Sequence, residues 1–199
     1  MIRILVVNGS PHENRSCGNV ARFIQRLAKG MQVDIFWLGK QVAQCDACRS
    51  CKRGGFCKTE DSVNNFVRIA GNYDGYLFVS PVYYASISSQ MDAFLTRLFY
   101  SNPKLMMYKP VAGITVSRRS GNTSAFSRMN MYFLMHSMIV VGSQYWNELY
   151  SDETGDTKQD AEGMETVASL VENMKYVIEG LSNVEKPMKR IHVHTNFIR

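Results

Sequence analysis

The stretch 3-RILVVNGSPHENRSCGNVARFIQRL-27 decides the fold. Residues 3–8, RILVVN, are a short apolar run rich in β-branched side chains and without polar alternation. Such a run reads as a strand covered on both faces, the condition of a parallel sheet. Residues 9–19, GSPHENRSCGN, are polar and turn-forming. Val20, Phe23, Ile24 and Leu27 then recur at helical spacing, and Gly30 ends the helix. A buried strand, a polar loop and an amphipathic helix make half of a crossover unit.

The same alternation continues. VDIFWL (33–38) is a second strand. Thr59 or Asp61 caps a helix carrying Val63, Phe66, Val67 and Ala70. DGYLFVS (74–80) is a third strand and runs into PVYYAS. Met91, Phe94, Leu95 and Leu98 mark a helix. VAGITVS (111–117) is a fourth strand, followed by RRSGNTS. Phe126, Met129, Phe133 and Leu134 mark the next helix, and MIVVGSQYW (138–146) is a fifth strand. A long polar loop from Asn147 to Asp160 precedes a last helix with Met164, Val167, Val171, Met174 and Ile178. Strand and helix alternate five times, which specifies an α/β fold with right-handed crossovers. Residues 1–185 read as one domain with a cysteine-rich loop at 44–60, and residues 186–199 as a basic tail.

Composition agrees with one globular domain: 199 residues, 45% hydrophobic and 20% charged,. No apolar run approaches the roughly 20 residues that span a bilayer. The opening MIRILVVNGSP lacks the h-region and cleavage site of a signal peptide, so a cytoplasmic protein with no membrane partner is expected. The 23 basic against 17 acidic residues give a formal charge of +6, which favours anionic partners. Much of the excess sits in the tail, as Lys186, Lys189, Arg190 and Arg199 with no acid, and reads as a solvated arm. His192 and His194 alone are a weak metal signal. No recognition helix or aromatic-basic motif points to nucleic acid.

Ligands of open α/β sheets bind outside the carboxyl ends of the strands. The loops after the first, third and fourth strands therefore carry the candidate site. The first leads into a helix N-terminus, whose free N–H groups and dipole attract anions. Ser10, Asn14, Ser16 and Asn19 add donors there, and His12 and Arg15 add charge. The loop lacks both the GxxxxGK[ST] and the GxGxxG patterns, so a phosphate monoester fits better than a triphosphate or dinucleotide. The plain alternative is a capped turn. Cys17 is either a thiol activated by the helix terminus or a small filler. The second and third loops are SPVYYASIS (80–88) and SRRSGNTS (117–124). Side by side, such aromatic, small and donor-rich loops suit a flat ring with a polar edge. Tyr83 and Tyr84 as packing residues, and Arg118 and Arg119 as surface charge, are the alternatives.

Four of the five cysteines fall within 45-CDACRSCKRGGFC-57, at spacing C-x2-C-x2-C-x5-C. Clustered thiols in a reducing compartment bind metal or do redox chemistry more often than they form disulfides. Structural zinc sites usually pair two knuckles across a longer gap. This compact run is closer to cluster ligation, with zinc or free thiols as alternatives. Gly54 and Gly55 free the backbone to curl back to Cys57, and Arg49, Lys52, Arg53 and Lys58 offset negative charge.

Taken together, these motifs resemble the flavodoxin-like NADPH-dependent FMN reductases, most closely their iron–sulfur flavoprotein branch. The resemblance covers roughly residues 1–180. It rests on GSPHENRSCGN, on the cysteine loop followed by DGYLFVSPVYYASISSQMDAFLTR, and on RRSGNTS, VVGSQYWN and DAEGMETVASLVENM. It implies a flavodoxin-like three-layer sandwich with a five-stranded parallel sheet of order 2-1-3-4-5. It implies that Ser10, His12, Asn14, Ser16 and Asn19 hold the phosphate and ribityl chain of FMN. Pro81, Val82, Tyr83 and Tyr84 would line its ring, and Ser117, Arg118, Arg119 and Gly121 its polar edge. Cys45, Cys48, Cys51 and Cys57 would bind a [4Fe–4S] cluster.

The reaction implied is electron transfer between NAD(P)H or a reduced carrier, FMN and an acceptor, small molecule or protein. A reductase of FMN, quinones or azo compounds without a cluster, and a flavodoxin-type carrier, are the alternatives. No triad or paired carboxylates stand out, so no catalytic side chain is assigned. The resemblance also implies a homodimer or homotetramer, and the methionine-rich 129-MNMYFLMHSM-138 segment is its candidate surface. His136 either reaches a neighbouring subunit's flavin or is a half-buried helix histidine.

Overall fold

The computed structural model describes residues 1–152 and 154–188. Most of the basic tail, with His192 and His194, lies outside the described residues. Strand β1 (Ile2–Asn8) lies inside the sheet, parallel to β2 (Met31–Trp37) on one side and to β3 (Gly75–Tyr83), the central strand, on the other. Next to β3 runs β5 (Pro110–Ser117), also parallel, and beyond it lies β6 (Ile139–Val140). This is the flavodoxin-like order expected, with the crossovers placed on both faces.

The absence of polar alternation in β1, β3 and β5 has a direct cause. Ile4, Val6, Leu77, Val79 and Ile114 face one core, packed by α1 (Ser16–Leu27) and α6 (Ala161–Leu181). Leu5, Val7, Tyr76, Phe78 and Val111 face the other, under α3 (Ser62–Ala70), α4 (Ser89–Ser101) and α5 (Asn122–Met135). Each neighbour in sequence goes to the opposite core, so both must be apolar. The second core is aromatic: Phe66 meets Phe94 edge-on at 5.2 Å, and Phe78 meets Phe133 at 5.1 Å,.

The fifth strand differs from its sequence reading. A continuous strand over 138–146 is expected, but only Ile139 and Val140 pair with the start of β5. The chain then leaves the sheet and returns as β7 (Glu148–Tyr150), parallel to the end of β5. Asn147 fills the gap. Its carbonyl accepts from the Thr115 N–H at 3.0 Å, and its side-chain amide donates to the Gly113 carbonyl at 3.1 Å. One buried asparagine therefore stands in for ladder bonds that the excursion removes. β7 also occupies part of the region read as polar loop.

The third strand is longer than 74–80. It continues through Tyr83 and folds back at β4 (Ser86–Ile87), with Val82 opposite Ile87 and Tyr83 opposite Ser86. Tyr84 and Ala85 both have positive φ, 48° and 57°, the pattern of a two-residue type I′ hairpin. Neither is a glycine or asparagine, so the local signal for this turn was missing. Among the described residues, no helix is long and apolar enough to cross a membrane.

Candidate functional site

The loops that leave β1, β3, β5 and β7 enclose a cleft of about 270 Å3 at the carboxyl edge of the sheet. Its first wall is the β1–α1 loop, which is built on itself. The Ser10 N–H donates to Asn8 Oδ1 at 3.0 Å, the His12 N–H to Ser10 Oγ at 3.1 Å, and the Asn8 amide to the Glu13 carbonyl at 3.1 Å. Trp37 Nε1 donates to the Ser10 carbonyl at 2.8 Å and ties the loop to β2. These bonds hold Ser10, His12, Arg15 and Ser16 on the cleft. Arg15 precedes the first turn of α1, which has no side-chain cap and no acid. An uncapped helix start beside a histidine and an arginine is suited to a dianionic phosphate.

Asn14 and Asn19 lie off the cleft. Asn14 Oδ1 accepts from Arg22 at 3.0 Å. The Asn19 amide donates to the Gly155 carbonyl at 3.0 Å, and its Oδ1 accepts from Arg22 at 2.7 Å. Asn14 is held by Arg22 within the loop's own surroundings, and Asn19 ties the start of α1 to Gly155. Cys17 touches the cleft but is buried, and burial pushes its thiol far above the ordinary range. Desolvation thus outweighs the pull of the helix terminus, as the filler reading requires.

The second wall is Pro81, Val82 and Tyr83 on the extended β3. Burial raises the Tyr83 phenol above its ordinary value, with Cys17 adding and Arg15 opposing. Tyr84 sits at the hairpin tip, fully exposed and away from the cleft. Gly121, φ 92°, packs against this hairpin, and a Cβ there would stand 2.9 Å from Ala85 Cα. Its role is close approach at the start of α5. Ser117 and Arg118 line the cleft. Ser117 is buried, and its Oγ has no protein partner. A buried hydroxyl of this kind asks for a polar group from a ligand or water. Arg119 does not line the cleft.

Sequence reading missed the third wall. Ser151, Asp152 and Gly155 line the cleft, and Arg118, Tyr150, Ser151 and Asp152 continue it into a second hollow of about 500 Å3. These residues follow β7, a strand hidden inside an apparent loop, so no local pattern announced them. Ser151 Oγ lies 2.8 Å from Ser16 Oγ. The Asp152 carboxyl accepts from the Thr154 hydroxyl and from the Thr154 and Asp156 N–H groups, and these bonds hold it below the usual carboxylate range.

The cysteine loop runs along α4. The Gln90 amide donates to the Lys40 carbonyl at 3.2 Å near one end of that helix. Lys52 Nζ reaches the Tyr100 carbonyl at 3.3 Å near the other. Cys45 and Cys48 are exposed, Cys51 is buried at the start of the one-turn helix α2 (Cys51–Gly54), and Cys57 is half-buried. Gly55, φ 76°, ends that turn. Among the described residues, no three His, Cys, Asp or Glu side chains converge as a metal site. The donor set itself, four free thiols in one loop, fits thiolate-loving iron or zinc. Arg97 lies beside Cys57: burial disfavours its charge, but Asp61 and Cys57 outweigh that and hold it firmly protonated.

His136 caps the far end of α5, stacked on Phe99 with ring centroids 4.1 Å apart and Nδ1 donating to the Tyr132 carbonyl at 2.7 Å. Within one chain it is a packed helix-end histidine, remote from the cleft.

The pattern of the family described as NADPH-dependent FMN reductase matches residues 2–151. An iron–sulfur flavoprotein of Methanocaldococcus jannaschii is 26% identical over 189 residues, covering 89% of this chain and 98% of its own. An iron–sulfur flavoprotein of Methanosarcina thermophila is 26% identical over 186 residues, covering 89% and 96%. Among solved structures, FerB of Paracoccus denitrificans, a flavoenzyme NAD(P)H:(acceptor) oxidoreductase, superposes with a TM-score of 0.64 at 18% identity. That match covers 88% of this chain and 98% of FerB.

Proposed function

Because the chain belongs to the NADPH-dependent FMN reductase family, in its iron–sulfur flavoprotein branch, and is an FMN-dependent oxidoreductase, we propose that FMN occupies the cleft at the carboxyl edge of the sheet. The α1 terminus with Ser10, His12, Arg15 and Ser16 takes the phosphate. Pro81, Val82 and Tyr83 cover one side of the ring, and Ser117 and Arg118 meet its polar edge. The observation that carries this reading is the pairing of an uncapped helix start with the unpartnered Ser117 hydroxyl in one cleft.

Bound FMN supplies hydride and single-electron chemistry. The chain's own residues bind and orient. The phosphate loop is held by its internal hydrogen bonds before any ligand arrives. Partial burial raises the Tyr83 phenol further above its ordinary value, and Arg118 would place a positive charge toward the ring's polar edge. NAD(P)H or a reduced carrier is the electron source, and a small molecule or protein is the acceptor. Cys45, Cys48, Cys51 and Cys57 hold a [4Fe–4S] cluster, a one-electron centre. The similarity to two iron–sulfur flavoproteins supports this. A reductase without a cluster is the second reading, favoured by the separation of the thiols. Met131, Leu134 and Met135 on α5 are 66%, 65% and 83% exposed, which supports a homodimer or homotetramer through that face. Five thiols without a disulfide support a reducing, cytoplasmic compartment.

The test is FMN titration of flavin-free protein, followed by anaerobic addition of NAD(P)H. Binding of one FMN per chain, bleached by NAD(P)H or a reduced carrier, is expected. Failure to bind FMN overturns the site. Flavin without iron and sulfide after anaerobic purification selects the cluster-free reading.

A further inference from the structure

The base of the cysteine loop is fastened in a way that neither the FMN cleft nor the sheet requires. Arg97 lies on the core side of α4 between Phe94 and Leu98, its side chain 1% exposed. It pairs with Asp61 and donates to the Ala43 carbonyl at 3.2 Å and to the Thr59 carbonyl at 2.9 Å. Asp61 Oδ2 accepts in turn from the Ala43 N–H at 3.3 Å, while its Oδ1 caps α3 through the Val63 N–H at 3.0 Å. Both backbone groups of Ala43 are thus held by buried or half-buried side chains. The same is true of Cys57. Its N–H donates to Asn64 Oδ1 at 2.9 Å, and its carbonyl accepts from Asn64 Nδ2 at 2.8 Å. Asn64 is fully buried.

We infer that Arg97, Asp61 and Asn64 form a clasp that closes the cysteine loop at its base and fixes Cys57 as the anchored thiol of a metal or cluster site. This rests on the reading of the four cysteines given above. The physical argument has three parts. A buried ion pair is seldom better for stability than apolar residues of the same size, so an arginine at this core position points to a positional role. Closing a loop costs conformational entropy, and the clasp meets that cost in the folded chain before any metal arrives. Finally, Ala47 and Arg49 within the loop have positive φ, 54° and 61°, without being glycines. Such backbone persists only where its surroundings hold it. The clasp fixes the ends and Cys57, and leaves Cys45 and Cys48 exposed to swing onto an incoming ion.

The test compares metal-free wild type with Asn64→Ala, Arg97→Gln and Arg97→Lys by anaerobic cobalt(II) titration, read from thiolate-to-cobalt absorption. Iron and sulfide are counted after reconstitution. Far-UV circular dichroism and FMN affinity report on fold and cleft. Asn64→Ala and Arg97→Gln are expected to weaken cobalt binding about tenfold or more, the usual effect of losing a group that orients a ligand. FMN affinity is expected to stay unchanged. Arg97→Lys restores part of the affinity, because an ammonium holds one carbonyl well but not two in a fork. Should Arg97→Gln not fold, Asn64→Ala, which strands no buried charge, carries the test. Folded variants that bind cobalt as tightly as wild type overturn the clasp. Tight cobalt binding that depends on Asn64, with no iron or sulfide taken up by wild type, keeps the clasp and overturns the cluster. Wild type that takes up neither cobalt nor iron overturns both.

Discussion

The hydroxyls of Ser16 and Ser151 lie 2.8 Å apart, joining the first turn of α1 to the end of β7. Two segments 135 residues apart in sequence therefore share one wall of the cleft. Ser151→Ala removes the bond to Ser16 and the donation to the Asp152 carbonyl, neutral hydrogen bonds of about 1 kcal/mol each, and is expected to weaken FMN binding about fivefold or more. Ser16→Ala should weaken it further, because Ser16 also faces the phosphate in the proposed site. Because the two share one interaction, the double variant should lose less than the sum. Flavin fluorescence titration measures all three.

Gly121 sets how closely α5 approaches the β3–β4 hairpin. Its φ is 92°, and a Cβ would press on Ala85 Cα at 2.9 Å. Gly121→Ala should destabilise the fold by about 1–3 kcal/mol and weaken FMN binding. Gly142→Ala is the control, because nothing lies within 4 Å of its Cβ position. It should change stability by less than about 0.5 kcal/mol. Thermal melting of both variants distinguishes local crowding from a general glycine effect.

The thiols separate by burial. Alkylation of metal-free protein at pH 8, followed by mass spectrometry, should label Cys45 and Cys48 first. Cys17 should react only after unfolding, since burial both shields it and pushes its thiol upward. Fast labelling of Cys17 in native protein would contradict its place in the core.

Asp152 makes the cleft sensitive to acid. Hydrogen bonds hold its folded pKa below the unfolded value, so its contribution is present above ~3.9 and is lost as pH falls through the folded pKa,. Residues 154–156, with Gly155 bonded to Asn19, should loosen over that range, and FMN affinity should fall with it. Asp152→Asn should flatten this acid limb while retaining the Thr154 contact in part. Flavin titrations between pH 3 and 7 test it.

The parts of the molecule legible in sequence are those where one side chain answers to one environment. Residues 4–7 and 76–79 lack polar alternation because successive side chains enter different cores, and their strands follow directly. The regions that were not legible depend on long-range exchange. Asn147 looks like a loop residue until β5 is seen to need a donor at Gly113. Asn14 and Asn19 read as phosphate ligands in sequence; in the fold Arg22 engages Asn14 Oδ1, and Arg22 and Gly155 engage both polar atoms of Asn19. Ser151 follows a strand only three residues long, too short to show a period. Arg97 sits within an apolar helical stripe, and only the loop packed on it explains the charge.

The broken fifth strand has a consequence for solubility. β5 is buried along its whole length of eight residues, and an unbroken outer neighbour would leave a long, regular edge ready to pair with another chain. Instead the rim of the sheet is a two-residue strand, a side chain and a three-residue strand. An approaching strand finds no ladder longer than these fragments. The excursion at 142–146 thereby guards this edge of the sheet, opposite β2, against edge-to-edge aggregation.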